Sequence, residues 1–409
     1  MSDERLLSLS GFAAEELVRS TAPPSGWAPG LVWDGQKGTL TTGTLAEAPT
    51  DWGPLLRARG LDPDVYEVVG DSIKWCSYDG WRRDAQGEDA YSAICYSYRA
   101  DIRLKRVDRP DLDELYAEVR RIRPKQLPPI GDRTLVVALS DWQVGNGDAG
   151  GARAQLEQIA ALPALVTTRV RQLRKAGVQL AEIVVAGMGD LVEGCSGFYP
   201  SQPWLTELDR REQTRVVRRG LLDIVRAVAA LAPRVTVTAV AGNHGENRQG
   251  GKRITGFGDN DDVAVFEQVA EICAENPDVF SHVGFRLPAD RIAVALEASG
   301  QVVAFTHGHL ARPKADPAAT LWEWWRGQAM GREYEGVADA QVLVSGHYHH
   351  TNVRSQQGRH LFICPSLTAV GDWWANATGM RTDPGTLTFV LGPDGWSNLE
   401  VLRCPKNPR

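Results

Sequence analysis

The sequence predicts an α/β chain: a small α+β module followed by a larger four-layer α/β/β/α sandwich of two packed sheets. Three observations carry that prediction. From residue 133 onward, short continuous apolar runs alternate with long amphipathic stretches, at 134–139, 154–175, 182–186, 207–231 and 235–240. Later apolar runs at 292–296, 302–306, 342–344, 361–364 and 386–390 follow one another closely, as strands of a second sheet against the first. Ahead of residue 105 the runs are richer in aromatic and β-branched residues, as in short strands.

Taken in order, residues 1–105 form the small α+β module. A short helix is expected over 12–19, broken by Pro23-Pro24, and another over 52–59, closed by Gly60. Strands are expected at 66–69, 72–78 and 91–104, with Asp79-Gly80 as a turn. Such a module can bind DNA, pack on a partner or extend the core domain. Residues 106–132 read as a linker, a charged helix over 111–122 followed by Pro124, Pro128 and Pro129. Its cluster of Arg120, Arg121, Arg123 and Lys125 reads as a solvated helix end in preference to a phosphate patch. Residues 133–409 form the catalytic domain. Its helices end where Gly177 and Pro233 stop them, and Val217, Leu221, Ile224, Val228 and Leu231 mark the buried face of the second.

Composition narrows the partners. Of 409 residues, 43% are hydrophobic and 23% charged, and the net charge of −6 gives no whole-chain basic field for nucleic acid or membrane. Any polyanion contact must be local. The six cysteines are scattered, with no Cys-x-x-Cys pair, which argues against a disulfide framework or a cysteine zinc site. No run approaches the ~18 apolar residues of a membrane span, and the start at Met1 lacks the pattern of a secretory leader. A cytoplasmic location is the expectation.

The candidate chemistry lies where the buried strands stop. Run 134–139 ends in Ser140-Asp141-Trp142-Gln143, and run 182–186 in Gly187-Met188-Gly189-Asp190. Run 235–240 ends in Ala241-Gly242-Asn243-His244-Gly245-Glu246, 302–305 in Thr306-His307-Gly308-His309, and 342–344 in Ser345-Gly346-His347-Tyr348-His349-His350. Ligands of open α/β sheets sit outside the carboxyl ends of strands, so five such turns converge on one crevice. Gly-Asp or Asn-His alone is an ordinary turn; five in register point to a metal site. Asp, Asn and His are oxygen and nitrogen donors suited to manganese, zinc or iron.

In that order the turns resemble the calcineurin-like metallophosphoesterase superfamily over residues 133–395. A finer resemblance, to phage and actinobacterial proteins grouped with double-strand-break-repair nucleases, rests on Asp259-Asn260-Asp261-Asp262, residues 346–350, Trp373-Trp374 and Pro384-Gly385-Thr386-Leu387-Thr388. The superfamily pattern implies that Asp141, Gln143, Asp190 and His349 hold a first metal, and that Asp190 bridges to a second held by Asn243, His307 and His347. It implies His244 as proton donor or leaving-oxygen stabiliser, and a metal-bridged hydroxide attacking phosphorus. Two divalent ions are expected, Mn²⁺ first, with Zn²⁺, Fe and Mg²⁺ as alternatives. One departure is Gln143, where the superfamily has histidine. A neutral amide oxygen is a weaker and harder ligand, which favours Mn²⁺ and a weaker first site. Alternatively Gln143 reaches the metal through water, or that site fills only with substrate.

Around the site, Arg248, Lys252, Arg253, Trp142 and His309 are candidate substrate contacts. Asp259, Asp261 and Asp262 read as caps of a helix over 263–275. Trp322, Trp324 and Trp325 read as packing residues before a base-stacking platform. The expected function is a two-metal phosphodiester hydrolase, a DNA nuclease of the double-strand-break-repair type, with DNA as substrate, no membrane partner, and a homo-oligomer or protein partner left open. The alternatives are a phosphomonoesterase or nucleotide phosphodiesterase, which the same ligands serve, and a non-catalytic DNA-binding or assembly subunit.

Overall fold

The computed structural model describes residues 23–33, 38–45, 47–64, 66–83, 90–104, 112–148, 150–288, 291–312, 316–367 and 382–403. The helix expected over 12–19 and the Trp373-Trp374 pair lie outside them. The chain divides into two compact units, Met1–Asp108 and Arg109–Arg409.

In the first unit, strands β1 (Gly30–Trp33) and β2 (Gly38–Thr41) precede helix α1 (Gly53–Arg57). Strands β3 (Tyr66–Val68), β4 (Lys74–Arg83) and β5 (Ala90–Leu104) follow. All five strands share one antiparallel sheet, with β5 pairing with β2, β3 and β4 along its length. Helix α1 buries Leu55 and Leu56 against Leu40 and Ile102. Asp79-Gly80 does not turn. Both residues continue β4 opposite Ile94 and Ala93, because β5 is long enough to take up their backbone groups.

The second unit opens with helix α2 (Leu112–Arg120). Expected in a linker, it buries Leu115 and Val119 in this unit's core. Next come β6 (Arg133–Leu139), α3 (Gly151–Lys175), β7 (Leu180–Gly187), the short α4 (Gln202–Leu205), α5 (Arg210–Ala229) and β8 (Arg234–Ala239). Helix α5 starts at a capping box, in which Asp209 accepts from the Glu212 backbone and Glu212 reaches back to Asp209. A hairpin of β9 (Arg248–Gln249) and β10 (Lys252–Arg253) leads to α6 (Asp261–Ala274), α7 (Pro277–Phe280) and β11 (Val283–Arg286). Strands β12 (Ala293–Ala298) and β13 (Gln301–Thr306) are separated by helix α8 (Pro317–Gly331) from β14 (Val342–Ser345). Then β15 (Asn352–Gln356), β16 (Arg359–Ile363), β17 (Thr386–Gly392) and β18 (Gly395–Leu402) complete the unit.

These strands make a six-stranded sheet, β11-β8-β7-β6-β17-β18, and a five-stranded sheet, β12-β13-β14-β16-β15. Strands β6, β7, β8 and β11 run parallel, as do β13, β14 and β16, so their carboxyl ends share a direction within each sheet. Side chains alternate between faces. Leu135, Val137, Ile183, Val185, Val235 and Val237 pack against α3, α5 and α6, with Val166, Val217, Leu221 and Phe266 opposite them. The intervening Val136, Ala138, Val184 and Ala186 meet Val303, Phe305, Val342, Val344 and Phe362 from the other sheet. Beyond it, Ala304, Leu343 and Leu361 pack on Leu321 and Trp325 of α8. The cores therefore follow the order helices, sheet, sheet, helix. Among the described residues, no helix is long and apolar enough to cross a membrane.

Candidate metal centre

Five turns at the carboxyl ends of β6, β7, β8, β13 and β14 bring the predicted donors together. Ligating atoms of Asp190, His307 and His347 lie within 4.8 Å of one another. His307 Nε2 stands 2.9 Å from Asp190 Oδ2 and 3.1 Å from Asn243 Oδ1. Its Nδ1 donates to the Met188 carbonyl at 2.7 Å, which fixes the ring and leaves Nε2 for the centre. Beside this group, His349 Nε2 lies 3.2 Å from Asp141 Oδ1. The Asp141 carboxylate also accepts from the Ser140 hydroxyl and from the His347 backbone N–H at 3.1 Å. Two of the three histidines of the last turn thus serve different groups: His347 belongs with Asp190 and His307, and His349 with Asp141.

The backbone is bent to make this possible. Of nine described non-glycine residues with left-handed φ, five are in this set: Asp141 (51°), Gln143 (44°), Asp190 (53°), His347 (72°) and His349 (58°). Such conformations cost of order 1–3 kcal/mol each and concentrate where function constrains the chain. Glycines let the turns close. Gly189 has φ +85°, and a Cβ there would lie 2.6 Å from Gly242 and 2.9 Å from His307 Nδ1.

Electrostatics follow from burial and crowding. Burial alone would raise the Asp190 carboxyl, but His307, His244 and His347 hold it well below the usual carboxylate range. Burial opposes protonation of His307, yet Asp190 and Asp141 raise it to about 9. His347, buried and facing the His307 ring, falls to about 3. Two carboxylates, an amide oxygen and three imidazoles, largely buried, form a donor set that suits a divalent ion of intermediate hardness. The Asn243 amide nitrogen is buried with no partner, as expected when its oxygen is the atom in use. These residues fit a metal.

His244 sits at the edge of the centre, its Nε2 4.0 Å from Asp190 Oδ2. Its Nδ1 faces the Glu193 carbonyl at 2.9 Å and the Glu193 carboxylate at 3.3 Å, so Nδ1 carries a proton. Despite burial, Asp190 and Glu193 raise this imidazole to about 10. The Phe198 ring covers it at 4.2 Å between centroids. Gln143 brings its amide nitrogen 3.4 Å from His244 Nε2, and its backbone N–H donates to the Asp190 carbonyl at 2.9 Å.

The expected substrate contacts divide. Trp142 does not line the site: it is 0% exposed, and its indole packs beside Ile159 and against Gly220 of α5. Asp141 and Gln143 on either side of it have left-handed φ of 51° and 44°, so this turn no longer follows strand alternation. Arg248 is held by Glu246, with Nε at 2.9 Å and Nη2 at 2.8 Å from Oε2, and lies over the Phe198 ring. Arg253 lies over Phe257 and 3.8 Å from Glu246, while Lys252 between them is exposed. The His309 ring is 5.3 Å from that of His307, and its Nε2 is 3.5 Å from Glu246. On α8, Trp325 is buried in the core, and Trp322 and Trp324 are partly buried against it.

Three buried acids escape sequence reasoning. Glu193, 0% exposed, also accepts from Tyr199 at 2.7 Å and Asn146 at 3.2 Å. Its signal was its place three residues past Asp190, in the same turn. Glu246 collects Arg248, Arg253 and His309, and only tertiary structure assembles that group. Asp262 does not cap α6. Asn260 is the cap, accepting from Asp262 N, and the Asp262 carboxylate turns beneath the Asp190 turn.

No family model matches the sequence, and no curated protein matches it. Among solved structures, the chain is similar to Vps29 from Entamoeba histolytica complexed with Zn²⁺, at 13% identity and TM-score 0.29, over 66% of this chain and 99% of that one. It is also similar to a predicted phosphoesterase from Streptococcus pneumoniae TIGR4, at 13% identity and TM-score 0.23, over 64% and 91%. A novel archaeal phosphodiesterase matches at 12% identity and TM-score 0.29, over 66% and 99%. At such identities and TM-scores the likeness carries no argument.

Proposed function

We propose that this chain is a metal-dependent phosphodiester hydrolase that works with two divalent ions, and that its substrate is DNA. The observation supporting a hydrolase is the convergence of Asp190, His307 and His347 within 4.8 Å, with Asn243 Oδ1 3.1 Å from His307 and Asp141 paired with His349 at 3.2 Å. Asn243, His307 and His347 would hold one ion, Asp141, Gln143 and His349 the other, and Asp190 would serve both. Bound divalent ions supply Lewis-acid charge at a phosphoryl group and lower the pKa of water beside it. The chain's own contribution is placement and proton handling. Glu193 holds the Nδ1–H of His244, so Nε2 is the atom turned to the centre, and it can donate to a leaving oxygen when the ring is an imidazolium. Phe198 covers that ring and restricts water around it.

DNA as the diester is supported by the finer sequence resemblance and by the β9–β10 hairpin, which carries Arg248, Lys252 and Arg253 four to nine residues past His244. Glu246 neutralises part of that charge, so Lys252 is the cation best placed to track a backbone phosphate. The test is hydrolysis by the Mn²⁺-loaded protein of single- and double-stranded DNA, bis-p-nitrophenyl phosphate and p-nitrophenyl phosphate, with Asn243→Ala as control. DNA cleavage lost in the control supports the proposal. Monoester turnover with intact DNA assigns a phosphomonoesterase instead, and no turnover with any divalent ion assigns a binding role.

A further inference from the structure

The geometry points to Asp262 as a positioning residue that preassembles the second metal's ligands by clamping two separate turns to one carboxylate. This rests on the metal-dependent function proposed above. Asp262 is 0% exposed. Its Oδ2 accepts from the Asp190 backbone N–H at 2.8 Å and from Gly242 N–H at 3.2 Å. Its Oδ1 accepts from Leu191 N–H at 2.9 Å and Val192 N–H at 3.3 Å. The first turn carries the bridging ligand Asp190, and the second carries Asn243. One side chain therefore links the ends of β7 and β8.

The neighbouring residues serve the same link. The Asn260 amide nitrogen donates to the Gly242 carbonyl at 2.8 Å, while its oxygen accepts from Asp262 N–H at 2.9 Å and so orients the aspartate. The Asp261 backbone N–H donates to the Gly245 carbonyl at 3.0 Å. No side chain fits between. A Cβ on Gly242 would overlap the Asp190 backbone nitrogen and carboxylate, and one on Gly245 would sit 2.6 Å from Asn260 Oδ1. None of the four donated N–H groups belongs to α6, and all of them belong to or adjoin the two turns. In return, the Asp190 Oδ1 accepts from His244 N–H at 2.8 Å, so its Oδ2 is left to the His307 side. The carboxylate that would bridge the ions is thereby held in one orientation.

The test is Mn²⁺ affinity, read by electron paramagnetic resonance of the free ion, together with the melting temperature of the metal-free protein. Asp262→Asn keeps the volume but replaces one acceptor by an NH₂ that faces backbone donors. It should weaken Mn²⁺ binding about 10–100-fold, the usual effect of removing a partner that orients metal ligands. Asn276→Ala is the control, because that buried amide holds the Val119 and Ile122 carbonyls away from the ligand turns. It should lower the melting temperature and leave the affinity unchanged. Equal affinity in Asp262→Asn and the unmodified protein overturns the proposal, as does an equal loss in Asn276→Ala, which would make affinity a mere reflection of stability. If Asp262→Asn yields no folded protein, Asn260→Ala decides, with about tenfold weaker binding expected and unchanged binding overturning the inference. Absence of Mn²⁺ and Zn²⁺ binding by the unmodified protein overturns the metal-dependent function itself, a result distinct from the others.

Discussion

At the residue scale, the centre consists of side chains placed by strained backbone and then fixed through their second polar atom. His307 is held by Met188 O, His244 by Glu193 and Asp141 by Ser140, so each presents a defined atom to the middle. The first-site group is the thinner of the two. His349 is the imidazole that contacts Asp141, and Gln143 directs its amide nitrogen at His244. His349→Ala should therefore remove one of two Mn²⁺ equivalents in calorimetric titration, while Gln143→His should tighten that same equivalent. Unchanged stoichiometry in the first variant would mean that Asp141 needs no imidazole partner. His244→Ala should keep both ions and lose about 10²–10⁴-fold in turnover, the range of a removed general acid; an unaltered rate would remove His244 from the chemistry. These candidate donors were legible because each is a metal-ligand residue type immediately after a buried apolar run. Glu193, Glu246 and Asp262 were not, because a carboxylate in a turn or at a helix start looks the same whether it faces water or a buried imidazole.

At the scale of elements, the long helices and apolar strands were legible from periodicity, since a continuous buried run or a 3.6-residue stripe is a local property. Helix α2 was not. Its charged face and the prolines after it read as a linker, but Leu115 and Val119 give it one apolar stripe that docks into the core. Glu118 on the same helix pairs with Arg219 and Arg226 of α5. Burial alone would raise the Glu118 carboxyl, but Arg226 and Arg219 lower it below its ordinary value. A carboxyl lowered by folding contributes stability above its unfolded pKa of about 4.3, and loses it as pH falls through the folded value. With Glu118 35% exposed, solvent screening limits the pair to about 1 kcal/mol at most. Glu118→Gln should thus melt about 1–2 °C lower at pH 7, with the gap closing below about pH 4. A gap that stays constant with pH would show that α2 is held by its apolar stripe alone.

At the scale of the whole molecule, the two units have separate cores, and the ligand turns all lie in Arg109–Arg409. The turns come from both sheets of that unit. Asp141, Asp190 and Asn243 follow strands of the six-stranded sheet, and His307, His347 and His349 follow strands of the five-stranded one. An ion held by these turns would tie one sheet to the other at their carboxyl ends, where side chains of opposite sheets meet across Val184, Ala186, Phe305 and Val344. Binding to the folded state alone stabilises it by about 2.7 kcal/mol at a ligand concentration a hundredfold above Kd. Spread over the unfolding entropy of some 300 residues, at roughly 2.1 cal/mol/K each, this raises the melting temperature by about 4 °C. Unfolding enthalpy scales with residue number, so the larger calorimetric transition belongs to the second unit. Scans of chelator-treated and Mn²⁺-saturated protein should show that transition moving up by about 4 °C. A shift confined to the smaller transition would place the ion in the first unit, and no shift would mean that the five turns hold no metal.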